Sequence, residues 1–83
     1  MVEKVIDLSD IELVGFLGIK NKNIQEVETA FPKTKIVSRG NKISIKGNKD
    51  QLLEVEKIIR SLMNHYHKFG KIDKKIVINH IKN

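Results

Sequence analysis

The stretch from Thr34 to Gly47 constrains this chain most, because TKIVSR and KISIK flank the pair Gly40-Asn41. A glycine–asparagine pair between two alternating runs predicts a two-residue turn of the primed kind, whose twist matches that of the strands it joins. So short a loop leaves one register. Arg39 faces Lys42, Ser38 faces Ile43, Val37 faces Ser44, Ile36 faces Ile45 and Lys35 faces Lys46. Side chains alternate along a strand, so Ile36, Ser38, Ile43 and Ile45 share the face expected to meet the helices. Lys35, Val37, Arg39, Lys42, Ser44 and Lys46 share the other. Like charges directly opposite each other are unfavourable. That second face is expected to be solvated or to meet something negative.

The rest of the chain supplies elements to cover a hairpin. Residues 2–7, VEKVID, alternate loosely and predict a first strand. Ser9 and Glu12 have the spacing of a capping box, opening a short helix whose apolar face is Leu13, Val14, Phe16 and Leu17. Gly18 is placed to end it. A second helix is expected after Asn21, with Ile24, Val27 and Phe31 on one stripe and Pro32 stopping it. Gly47 closes the second hairpin strand. Asn48 with Gln51 predicts the start of a long helix carrying Leu52, Val55, Ile59, Leu62, Met63 and Tyr66, and Gly70 ends it. In the segment that follows, Asp73 caps a short helix or Lys75–Asn79 forms a strand. The order β-α-α-β-β-α predicts an α+β fold with a three-stranded, antiparallel-containing sheet and helices on one face. Residues 1–70 form the domain and residues 71–83 a tail.

With 83 residues the chain is expected to form one domain. It has no cysteine, which removes disulfides and thiolate metal sites. No signal peptide and no membrane-length apolar run is read, so a soluble, cytoplasmic protein without membrane contact is expected. The net charge of +6 is unevenly placed. Residues 1–15 carry four acids and one base, whereas residues 16–48 carry seven bases and two acids. Such a field favours polyanions, or is a lysine-rich solvated surface.

His65 and His67 are two apart on a helix and point to different sides, so they cannot share a metal ion; His80 stands alone in the sequence. No metal site is expected. Ser9 is accounted for as a cap, and Ser38 and Ser61 have no histidine at a spacing that implies contact. Asp10 with Glu12, and Glu26 with Glu28, do not face each other. No catalysis is expected from these residues.

The segment Phe16-Leu17-Gly18-Ile19-Lys20-Asn21-Lys22-Asn23-Ile24 resembles the GxxG loop of the KH domain. Gly18 matches the first glycine, Asn21 replaces the second, and Lys22-Asn23-Ile24 matches the continuation. Asparagine tolerates a left-handed backbone better than other non-glycine residues, so the loop's shape is expected to persist. From FLGIKNKNIQEVE through the IVSRGN hairpin to the glycine before the long helix, residues 3–70 resemble the N-terminal KH-like domain of the PhoH family. In that family the domain precedes a P-loop ATPase domain, which the tail would lead into.

The resemblance implies single-stranded RNA as ligand, gripped over about four nucleotides. Gly18, Ile19 and the backbone amides of Lys20, Asn21, Lys22 and Asn23 would approach the phosphates, with Lys20 and Lys22 neutralising charge. Ile24 and Val27 would floor a groove or sit in the core; Ile36, Val37 and Ser38 would wall it, and Arg39 and Lys42 would guard its far end. No G-x-x-x-x-G-K-[ST] sequence is present. ATP and magnesium are therefore expected only for an ATPase domain outside these residues, the chain itself carrying no cofactor. Its expected partners are RNA and that domain. The alternative is a degenerate KH fold that assembles subunits or docks a protein without binding nucleic acid.

Overall fold

The computed structural model describes residues 2–82. Strand β1 (Val2–Asp7) is followed by a short helix α1 (Leu13–Leu17), a 3-10 turn (Ile19–Asn21) and helix α2 (Lys22–Ala30). Strands β2 (Thr34–Arg39) and β3 (Lys42–Gly47) form the hairpin, and helices α3 (Lys49–Phe69) and α4 (Lys74–Lys82) complete the chain. The fold is α+β, with one antiparallel sheet in the order β1-β3-β2.

The hairpin register is the expected one at all five pairs, from Lys35 opposite Lys46 to Arg39 opposite Lys42. Gly40 has a φ of 56° while Asn41 stays at negative φ, the pattern of a turn with glycine first. The N–H of Leu8 donates to the carbonyl of Asn41 at 2.7 Å, tying the exit of β1 to this turn. β1 pairs with β3, Val5 opposite Ser44 and Ile6 opposite Ile43. Ile6, Ile36, Ile43 and Ile45 are buried on the helix side of the sheet. They meet Phe16 and Leu17 of α1, Ile24 and Val27 of α2, and Leu52, Val55, Ile59 and Leu62 of α3 in one apolar cluster. Each such side chain, fully buried, contributes about 1.5–3 kcal/mol.

The start of α1 departs from the expected capping box. The helix opens at Leu13, not after Ser9, and Glu12 is its cap: its carboxylate accepts from the N–H of Gly15 at 2.6 Å. Ser9 instead donates its N–H to Asp7 Oδ1. Leu8 and Ile11 are both buried, and the N–H of Ile11 closes onto the carbonyl of Leu8. Placing these two side chains in the core holds residues 8–12 in a non-helical loop. Val14, expected on the apolar face of α1, is 70% exposed.

Asn48 caps α3 by accepting from the N–H groups of Asp50 and Gln51. Gln51 does not return the bond; its carbonyl oxygen accepts from the N–H of Lys33. Of the two readings of the last segment, the helix is the one formed: Asp73 Oδ1 accepts from the N–H of Ile76 at 3.0 Å. α4 packs against α2 and α3, and Ile72 and Val77 join the same apolar cluster as the hairpin. Among the described residues no helix is long and apolar enough to cross a membrane.

Candidate nucleic-acid interface

The turn between α1 and α2 is shaped by three residues in unusual backbone conformations. Gly18 ends α1 at φ 82°, its N–H donating to the carbonyl of Val14. A Cβ there would stand 3.1–3.2 Å from the side-chain amide of Asn23. Lys20 (φ 56°, ψ 30°) and Asn21 (φ 60°, ψ 30°) are both left-handed. Asparagine at such a position was expected. Lysine was not, and it costs about 1–2 kcal/mol there. Asn23 fastens the turn to the body: its buried Nδ2 donates to the carbonyl of Phe16 at 3.0 Å and lies 3.4 Å from that of Ile72. Gln25 Nε2 donates to the carbonyl of Lys20 at 3.3 Å.

The expected cradle of four backbone amides is reduced by the turn's own bonding. The N–H of Asn21 donates to Gly18 and that of Lys22 to Ile19. What the turn presents is mainly side chains. Lys20 and Lys22 are exposed, and neither ammonium is within 4.0 Å of a carboxylate among the described residues. Two shallow clefts flank the turn. One, of about 470 Å³, lies between Gly18, Lys22 and Asn23 and the α3–α4 link at Ile72 and Asp73. The Lys74–Glu26 ion pair, 3.7 Å long, stands on its rim. The other, of about 350 Å³, is bounded by Val14, Leu17, Ile19 and Lys20.

The remaining expected site residues do not join the turn in one groove. Ile24, Val27 and Ile36 are core residues at 8% exposure or less, so they neither floor nor wall an open cleft. Ser38 lies half-buried on the helix side of the hairpin, while Val37, Arg39 and Lys42 line a separate concavity on the opposite face of the sheet. The exposed apolar side chains beside the turn are instead Val14 and Ile19, the latter 73% exposed. The periodicity that put Val14 on the apolar face hid this.

A second grouping joins α3 to α4. Ser61 Oγ and His80 Nδ1 are 2.8 Å apart, and the His80 ring meets that of His65 edge-on at 5.4 Å. His80, expected to stand alone, is thus held between two α3 residues. Nineteen positions separate it from Ser61, and only the helical reading of the last segment brings them together. Burial, and then the neighbouring His65, push the His80 pKa down. Elsewhere Tyr66, whose hydroxyl donates to Glu12 Oε2 at 3.3 Å, has its pKa raised by burial and by that carboxylate. Among the described residues no three or more histidine, aspartate and glutamate side chains stand together in a way that could hold a metal ion.

No protein-family model, curated protein or solved structure matches the chain.

Proposed function

We propose that this chain binds the phosphate backbone of single-stranded RNA through its Gly18–Lys22 turn, as an accessory module beside an ATPase domain of the PhoH kind. The carrying observation is the turn itself: two consecutive left-handed residues, Lys20 and Asn21, directly before α2, with Lys20 and Lys22 exposed and unpaired among the described residues. Lysine on such a site acts as a mobile point charge on phosphate. Binding of this kind is weak, tolerant of sequence and steeply salt-dependent. ATP and magnesium belong to the partner domain in this reading. The core position of Ile24 and Val27 removes the apolar floor for bases, which leaves the phosphates as the main contact.

The test is titration of the labelled chain with a short mixed-sequence RNA, following amide shifts at low and high salt. Shifts on Gly18–Gln25 that fade with salt support the reading. Shifts spread over every lysine, or none, refute it.

A second reading, an assembly module without nucleic-acid binding, draws on a specific observation. Val14 and Ile19 expose apolar surface along one cleft beside the turn, as a docking surface would. Concentration-dependent sedimentation that Ile19→Ser abolishes would favour it.

A further inference from the structure

The open face of the sheet carries a charge pattern that the turn does not explain. Its outward side chains form three rows across β1, β3 and β2: Glu3–Lys46–Lys35, Val5–Ser44–Val37 and Asp7–Lys42–Arg39. Two cations therefore stand directly opposite each other in each outer row, an arrangement that disfavours the folded sheet. The carboxylates on β1, Glu3 opposite Lys46 and Asp7 opposite Lys42, offset it only in part, leaving each outer row with one net positive charge. Glu3 accepts from the Ser44 hydroxyl and Asp7 from the N–H of Ser9. Among the described residues none of the four cations lies within 4.0 Å of a carboxylate. Between the two rows is a waist of Val5, 53% exposed, with Val37 and Ser44. Glu3, Val5, Val37, Arg39, Lys42, Ser44 and Lys46 line a concavity of about 290 Å³.

We infer that this face binds an extended acidic peptide of a protein partner, with the pattern acid–x–apolar–x–acid. The spacing supports that occupant. The two cation rows are four residues apart along β3, roughly 13 Å at strand rise. In an extended peptide, carboxylates at i and i+4 are separated by the same distance, and the side chain at i+2 points the same way, onto the valine waist. Charge complementarity supplies the selection and the orientation. A nucleic-acid strand fits less well. The face has no aromatic ring on which a base could stack. This site is on the opposite side of the sheet from α1 and α2, so it stands or falls independently of RNA binding at the turn.

The test titrates the labelled chain with the synthetic peptide SESVSES, and with SKSVSKS and SESSSES as comparators. The expected result is saturable binding of SESVSES with amide shifts centred on Val5, Val37 and Ser44. The lysine peptide should not bind, and loss of the central valine should weaken binding. The double variant Lys42→Ala/Lys46→Ala should lower affinity about tenfold while remaining folded, since in each outer row the like-charge pair it removes offsets the acid–base pair lost with it. Val5→Ser, which keeps every charge, should also weaken it. Equal affinity in these variants, shifts located at Gly18–Lys22, no saturation, or a preference of this face for a short RNA over the peptide would each overturn the inference.

Discussion

The side-chain amide of Asn23 donates to the carbonyl oxygen of Phe16 across 3.0 Å, from a residue only 6% exposed. The same nitrogen lies 3.4 Å from the carbonyl of Ile72. One buried group thus joins the end of α1, the start of α2 and the link before α4. Replacing it by alanine leaves two carbonyls without their donor, and an unsatisfied buried polar group costs about 1–3 kcal/mol. Asn23→Ala is expected to lower unfolding free energy by that amount in urea. Asn23→Asp should lower it further at neutral pH, because a carboxylate would face two carbonyl oxygens. A loss below about 0.5 kcal/mol for the alanine variant, the range of ordinary surface changes, would remove Asn23 as the fastening of the turn.

Gly47 and Gly40 close the two ends of β3 and should respond differently to alanine. A Cβ on Gly47 would sit 2.5 Å from the carbonyl oxygen of Lys33 and 2.9 Å from the Cα of Thr34. Both are backbone atoms, so the neighbouring strand must shift, and overpacking of this kind costs about 1–3 kcal/mol or more. A Cβ on Gly40 meets nothing within 4 Å. Its φ of 56° is the sole penalty, about 1 kcal/mol. Chemical denaturation of the two variants should rank Gly47→Ala as the more damaging; the reverse order would mean the hairpin turn, not the strand end, is the rigid point.

The hairpin was legible because its turn and its alternation agree, and a two-residue loop admits one register. The start of α1 was not. Ser9 and Glu12 carry a capping signature, but the burial of Leu8 and Ile11 outweighs a cap worth about 1 kcal/mol. The turn was legible at Gly18 and Asn21, where residue chemistry announces the backbone, and illegible at Lys20, where nothing does. The groove was misplaced for a tertiary reason. Ile24 and Val27 lie on a stripe that reads equally well as core or as an open floor. Once the last segment folds as α4 and packs against α2, the molecule uses that stripe as core. The Ser61–His80 contact was invisible for the same reason, since it exists only if that segment is a helix.

His80 is expected to make the stability of the fold pH-dependent. Its folded pKa lies below the ordinary value of 6.5, owing to burial and to His65. The folded chain therefore binds fewer protons than the unfolded chain in that window, and stability rises with pH through it. The favourable state is fully present above about pH 6.5 and is lost as pH falls towards the folded value. Glu54 and Lys57 of α3 line the same cleft as His80 and carry one charge of each sign. Urea midpoints measured from pH 7.5 down to 5.5, as an order-of-magnitude window around the histidine range, should fall for the parent chain. They should fall less for His80→Gln, which keeps a polar partner for Ser61. Parallel curves for the two proteins would show that His80 carries no part of the effect.

Lys20 separates the stability of the turn from its use. As a left-handed lysine it holds about 1–2 kcal/mol of backbone strain. Glycine at that position relieves the strain but adds about 0.5–1 kcal/mol of unfolded-state freedom. Lys20→Gly should therefore leave stability unchanged or raise it slightly, in contrast to Asn23→Ala. If the turn grips phosphates, the same change must weaken RNA binding, because it removes a charge that no carboxylate within 4.0 Å offsets among the described residues. Each lost phosphate contact lowers the slope of log affinity against log salt by about 0.7 for a single strand. Lys20→Gly and Lys22→Ala should each reduce the slope by that amount, and the double variant by about twice as much. A double variant with the parent's slope would show that the RNA phosphates are held elsewhere. A Lys20→Gly single variant less stable than the parent would show that Lys20 is kept for the fold rather than for a ligand.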